Sequence, residues 1–274
     1  MLTDAHCHPA DCIEHFPAAE DQRRQLGVMC AASATTAEEF ACCERLSLKA
    51  REDAAAPLLP CFAVHPQMPA VSKSSVFDEQ LAMLNALAEA GRLAAIGETG
   101  FDLFNAMYRE TEKIQDDLFA AHLETALRRD LPLVIHARRA MHKIFAHSSA
   151  LKKCRSVIFH SWPGTAGEGQ ALLRRGINAF FSFGNAIMLN HREAMRCCAL
   201  FPATRLLTET DAPYQPPRGN PFSSYANIPR LLEAAATLRR AADGSTAQEL
   251  EKIIERNFHA AFKYSEKKPL PDSG

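Results

Sequence analysis

Apolar runs of six or seven residues recur along the whole chain, at 2–8, 27–33, 59–65, 93–98, 131–137, 155–161, 178–183 and 205–211. They are rich in β-branched and aromatic residues, and their length predicts eight buried strands. The stretches between them carry apolar positions three and four residues apart, which predicts helices at 37–51, 77–90, 109–129 and 166–175. Strand and helix therefore alternate, the signature of a parallel sheet. Eight such units in 274 residues favour a closed (β/α)8 TIM barrel over an open doubly wound sheet. No Gly-x-Gly-x-x-Gly follows any strand, which weakens a dinucleotide-binding alternative.

Beyond the eighth strand, DAPYQPPRGNPF is a proline-rich loop, and two additional C-terminal helices follow it. Thr246 and Glu249 form a capping box for the last one, with Leu250, Ile253, Ile254, Asn257, Phe258 and Ala261 on one face. No linker divides the chain, so the expectation is a single barrel domain over residues 1–266 with a frayed tail at 267–274.

Hydrophobic residues at 47% and charged residues at 23% describe a soluble chain with a large core. With 31 basic and 32 acidic residues the net charge is −1, so any nucleic-acid site must be a local patch. Nine cysteines are an odd number, and the adjacent pairs Cys42-Cys43 and Cys197-Cys198 do not suit a disulfide framework. The start, MLTDAHCHP, has no signal-peptide pattern, and no apolar stretch is long enough to span a bilayer. These features predict a reduced, cytoplasmic protein with no membrane partner and no obligate protein partner. Cys7 lies between His6 and His8, but at a period of two it faces away from them, as a buried thiol.

In a barrel of this kind the C-terminal strand ends form the active site. Six of the eight predicted strands end in ligand-type residues: His6 and His8, His65, Glu98, His136, His160, and the pair Glu209 and Asp211. A lone strand-end histidine is an ordinary structural residue. Four imidazoles and two carboxylates crowded on one rim are costly without a cation, so His6, His8, Glu98, His136, His160 and Asp211 point to a divalent metal. They exceed what one open catalytic centre needs, which favours two ions. Such ligands accept Mn, Co or Zn, and Mg by abundance. Trp162, two residues after His160, is a candidate base-stacking surface, and Arg138 and Arg218 are candidate phosphate contacts.

The motifs DAHCHP, FAVHP, GETGFD, LPLVIHARRA, IFHSWPG and LLTETDAPY, closed by Asn257 and Phe262, resemble in order those of the TatD-like metal-dependent hydrolases of the amidohydrolase superfamily. The resemblance runs the whole length. It implies that His6, His8 and Asp211 hold one ion, that His136 and His160 hold the other, and that Glu98 bridges. No lysine occurs in the eight predicted strands, so none competes with Glu98 for that task. Several flanking positions depart from the family pattern: Arg139 stands in place of an aspartate, Leu103 in place of an aromatic, and Ser161-Trp162-Pro163 in place of Cys-Phe-Ser, and the spacing from Gly219 to Asn227 is altered.

The implied activity is that of a deoxyribonuclease, a 3′→5′ exonuclease acting on single-stranded DNA ends through a water shared between two metals. Glu209, placed by strand alternation on the face of Asp211, is expected to orient that water or take its proton, and His65 with Arg138 to hold phosphate. Two other readings use the same residues: a hydrolase of amides, lactones or aminoacyl esters, and a non-catalytic metal-binding scaffold.

Overall fold

The structure, a computed structural model, describes residues 1–264. β1 (Leu2–Cys7) leads through α1 (Pro9–His15) and α2 (Ala19–Leu26) to β2 (Val28–Ala34). α3 (Ala37–Glu52), β3 (Leu58–Phe62), α4 (Ser74–Glu89) and β4 (Ala95–Asp102) follow. α5 (Ala106–Glu110) and α6 (Glu112–Arg129) precede β5 (Leu133–Arg138), and α7 (Met141–Ala146) and α8 (Ser148–Leu151) precede β6 (Val157–Phe159). The chain continues through α9 (Ala166–Arg174), β7 (Ala179–Phe183), α10 (Arg192–Leu200) and β8 (Leu206–Thr208), and ends in α11 (Asn227–Asp243) and α12 (Ala247–Phe262). The strands form one sheet in chain order, and the seven neighbour pairs from β1–β2 to β7–β8 are all parallel.

The ends of this sheet meet through side chains at the base and backbone at the mouth. Thr208 Oγ1 donates to Thr3 O at 3.0 Å, while Asp211 N donates to His6 O at 2.9 Å and His8 N to Ala212 O at 2.8 Å. Asp4 completes the seam by accepting from Thr210 N at 2.9 Å and Thr210 Oγ1 at 2.6 Å.

The strands are apolar on both faces, which explains their near-continuous hydrophobic runs. Met29, Ala31, Leu59, Cys61, Val134, Ile158, Phe180 and Leu207 form one buried cluster, joined by Phe258, Ala261 and Phe262 of α12. Their neighbours Cys30, Leu58, Ile135, Phe159 and Phe181 belong to a second, larger cluster with the helices. α12 opens with the expected Thr246–Glu249 capping box and is held beneath the barrel by Asn257 Nδ2, which donates to Ala203 O and Leu206 O at 2.8 Å each.

The expected barrel is thus present, with all eight strands in place and both additional helices. Several boundaries differ in ways that matter: β6 and β8 end early, at Phe159 and Thr208, and two others lie around β4. The helix expected over 109–129 breaks at Thr111, where Gln115 Nε2 donates to Thr111 Oγ1 and to Tyr108 O. β4 continues four residues past Glu98, as far as Asp102. The expected frayed tail at 267–274 lies outside the described residues. All nine cysteines are unpaired, and no helix among the described residues is long and apolar enough to cross a membrane.

Candidate metal centre

Glu98 sits at the middle of the barrel mouth, and two glycines bring it there. β4 passes so close to β5 that a Cβ on Gly97 would collide with Val134, and one on Gly100 with the carbonyl of His136. Gly100 also has φ 136°, where other residues are strained. The sequence Gly-Glu-Thr-Gly therefore lets Glu98 and His136 meet at 2.6 Å.

The two oxygens of Glu98 face different partners. Oε2 lies 3.1 Å from His6 Nε2 and 3.9 Å from His8 Nε2, beside Asp211, whose Oδ1 is 3.4 and 3.5 Å from the same two nitrogens. Oε1 lies 2.6 Å from His136 Nδ1, 3.2 Å from His160 Nε2 and 3.5 Å from His65 Nε2. The six expected ligand residues are therefore brought together, with His65 as a seventh neighbour.

The spacing suits cations. Ligand atoms about 2.0–2.2 Å from a common ion are about 2.8–3.6 Å from each other, whether the site is octahedral or tetrahedral. His6 Nε2 and His8 Nε2 face each other at 3.1 Å, within that range. Burial works against charge on Glu98 and Asp211, yet the surrounding imidazoles, His160 foremost, hold both carboxyls below their usual range. Burial likewise opposes the charged form of His160, but Glu98, Glu209 and Asp211 push it up to about 10. Two ionised carboxylates at the centre thus require positive charge, from protons on histidine or from cations.

Four of the five imidazoles at the mouth, those of His6, His65, His136 and His160, are held from behind, and the polarity of that contact decides what the other nitrogen can do. Asp102 Oδ2 lies 3.2 Å from His136 Nε2, and Glu209 Oε1 lies 3.1 Å from His160 Nδ1. The Asp102 carboxylate accepts the ring N–H of His136 and leaves the opposite nitrogen with a lone pair for a cation, and the charge of Glu209 beside His160 Nδ1 favours the same arrangement there. Ser33 Oγ, 3.2 Å from His6 Nδ1, can do the same. His65 has the reverse polarity: its Nδ1 accepts from Gln67 N at 3.2 Å, so the proton of the neutral ring is on Nε2, a donor facing the cavity.

Three expectations are corrected. Glu209 is wholly buried behind His160 and does not line the cavity, because β8 ends at Thr208 and Asp211 has φ 52°, which breaks the two-residue alternation. Trp162 is also buried, packed against Phe159, Phe181 and Phe201. There β6 ends at Phe159, Ser161 has φ 44°, and Trp162 N bonds to Ser182 O, which swings the indole over β7. Arg218 is exposed and does not line the cavity.

The cavity over the centre holds about 830 Å³. Arg138 lines it, and its aromatic surfaces are Tyr108 and Tyr214, the latter donating to Asp11 at 2.8 Å. Asp102, Asp4, Tyr108 and Tyr214 were not singled out by their residue pattern. Asp102 and Asp4 were nevertheless present in GETGFD and DAHCHP, and Tyr214 in LLTETDAPY.

The barrel and its cluster of histidine and carboxylate ligands define a metal-dependent hydrolase. Residues 3–263 match the TatD related DNase family, and the chain belongs to that family. It is 33% identical over 188 residues to the 3′-5′ ssDNA/RNA exonuclease TatD of Pantoea vagans, covering 66% of this chain and 70% of that protein. With a metal-dependent hydrolase of Buchnera aphidicola it shares 32% identity over 171 residues, and the match spans 62% of that relative's length. The TatD homolog YjjV of Escherichia coli is 28% identical over 275 residues, covering 94% of this chain and 96% of that one. Its crystal structure aligns at a TM-score of 0.81 and 26% identity, covering 96% of this chain and 98% of that one.

Proposed function

We propose that the chain is a two-metal phosphodiesterase that removes nucleotides from the 3′ ends of single-stranded DNA. The observation that carries this reading is the division of Glu98, with one oxygen toward His6, His8 and Asp211 and the other toward His136 and His160. Those residues would hold two divalent cations, of which Mn, Co, Zn and Mg all suit the donors. When bound, the cations supply Lewis acidity, lowering the pKa of water and offsetting charge on a phosphoryl group.

The chain's own side chains account for the rest. His65 Nε2–H donates to a non-bridging oxygen of the scissile phosphate, and the Arg138 guanidinium pairs with a phosphate at the cavity wall. Asp211, which unlike Glu209 lines the cavity, accepts the proton of the attacking water. Its Oδ1 faces His6 and His8 on the metal side, while Oδ2, which accepts from Gln215 Nε2 at 2.7 Å, keeps a second lone pair for that proton. Glu209 and Asp102 are positioning residues that act through His160 and His136. Tyr214 and Tyr108 offer the terminal base a stacking surface.

The test is metal stoichiometry by mass spectrometry, together with hydrolysis of single-stranded oligodeoxynucleotides labelled at the 5′ end. Two ions per chain and a ladder shortening from the 3′ end are expected. One ion per chain, or hydrolysis of amide or lactone substrates alone, would overturn the reading.

A further inference from the structure

The walls of the cavity differ in charge. Asp11 and Glu39 stand on the side formed after β1 and β2, and Arg138 on the side formed after β4 and β5, across the eight-stranded barrel. A polyanion leaving the centre is repelled by the first wall and drawn over the second.

Two more arginines gather near Arg138 at Phe104, outside the cavity lining. Arg109 Nη1 and Arg139 Nη1 each donate to the same acceptor, Phe104 O, at 3.3 Å. The guanidinium carbons of Arg138 and Arg139 lie 3.5 and 4.7 Å from the centroid of the Phe104 ring. Three guanidinium groups are thus gathered on one residue, all exposed, and none forms an ion pair among the described residues. Arg139 reaches its place from φ 55°, a region that Asn and Asp enter more easily than Arg. Like charges collected at this spacing repel one another, and an anion of extended shape relieves the repulsion at every member. Each planar fork also matches two phosphate oxygens, and the Phe104 ring holds the planes of Arg138 and Arg139.

We propose that Arg109 and Arg139, gathered on Phe104 beside Arg138, form a second phosphate site. It holds the backbone of a single-stranded nucleic acid outside the cavity, one or more nucleotides from the bond that is cut. This rests on the phosphodiesterase reading and extends it from a single reacting linkage to a strand. It also reconciles a net charge of −1 with a polyanionic substrate, because the cationic surface is concentrated on one wall.

The experiment is fluorescence anisotropy of the metal-loaded protein with labelled, phosphorothioate-linked oligothymidylates of two and of ten nucleotides, over a range of salt. The double variant R109A/R139A should bind the longer strand about tenfold more weakly, with a salt slope smaller by about one to two, while the two-nucleotide probe changes by less than about twofold. R139D, which suits the local backbone and carries the residue of the family pattern, should show part of the same loss and serves if the double variant does not fold. An unchanged affinity and slope for the longer strand in these variants overturns the proposal, as does an equal loss for both probes. Failure of the underlying reading looks different: wild-type protein that binds the longer strand through these arginines but hydrolyses no phosphodiester retains the second site and loses the proposed activity. Wild-type protein that binds neither probe loses both.

Discussion

Glu98 carries one charge that two sets of histidines share, so its replacement separates charge from shape. Glu98→Gln keeps the volume and one acceptor oxygen but lacks the anion that both halves of the centre face. Hydrolysis should fall by at least about 100-fold and bound metal should drop below two per chain, with circular dichroism unchanged. A variant that keeps most of its kcat would remove Glu98 from the bridging role. Asp102 tests the layer behind: Asp102→Ala frees the far nitrogen of His136 and should weaken metal affinity by about 10–100-fold, read by competition with a chelator. The six candidate ligands were legible because each falls at the end of a strand expected from the sequence pattern and carries a side chain with metal-ligand chemistry. Asp102 was not, because a strand read as ending at Glu98 placed it in a loop; the true strand runs on through Gly100, whose necessity, like that of Gly97 before Glu98, lies in the approach of β5, a tertiary contact.

Strand ends are also where a two-residue period fails, and two of the three corrected roles arise there. Glu209 and Trp162 follow β8 and β6 by only one and three residues, and left-handed residues at 211 and 161 reset the direction of the chain. Under the proposed function, the stacking role passes to Tyr214, which lines the cavity. Tyr214→Phe, which loses only the bond to Asp11, should leave oligonucleotide KM within about twofold, whereas Tyr214→Ala should raise it about tenfold.

A second element-level consequence concerns acid stability. His122 of α6 is buried against the end of β3, where Nδ1 faces Leu118 O at 2.5 Å and Nε2 accepts from Val64 N at 3.0 Å. A proton on Nε2 would oppose the N–H of Val64, and burial pulls the imidazole down to about 4 from 6.5. The unfolded chain therefore binds the extra proton first, and stability falls as pH drops from 6.5 toward 4, by about 3 kcal/mol in all. Urea titrations should show this slope in the wild type and its loss in His122→Gln, whose amide oxygen can still accept from Val64 N. An equal slope in both proteins would assign the acid lability to other groups.

At the scale of the whole barrel, the centre joins chain segments that are far apart in sequence: His6 and His8 at one end, Asp211 near the other, and Glu98, His136 and His160 between them. The backbone bonds Asp211 N to His6 O and His8 N to Ala212 O show that the same residues close the seam between the first and last strands. Cations that require all of these segments bind the folded chain and have no comparable site in the unfolded one, so metal must stabilise the fold by mass action. Free metal at a hundred times its dissociation constant is worth about 2.7 kcal/mol for one site. For a chain of this length a kilocalorie shifts Tm by about 2–4 °C, so chelation should lower Tm by roughly 5–10 °C for each site emptied. Calorimetry with and without chelator measures this directly, and restoring Mn should restore Tm. Glu98→Gln, with its shared ligand weakened, should show a smaller metal-dependent shift than the wild type even though no activity enters the measurement. A wild-type Tm indifferent to chelation would mean that the carboxylates at the barrel mouth are balanced by protonated histidines alone, and that these residues hold no resident ion.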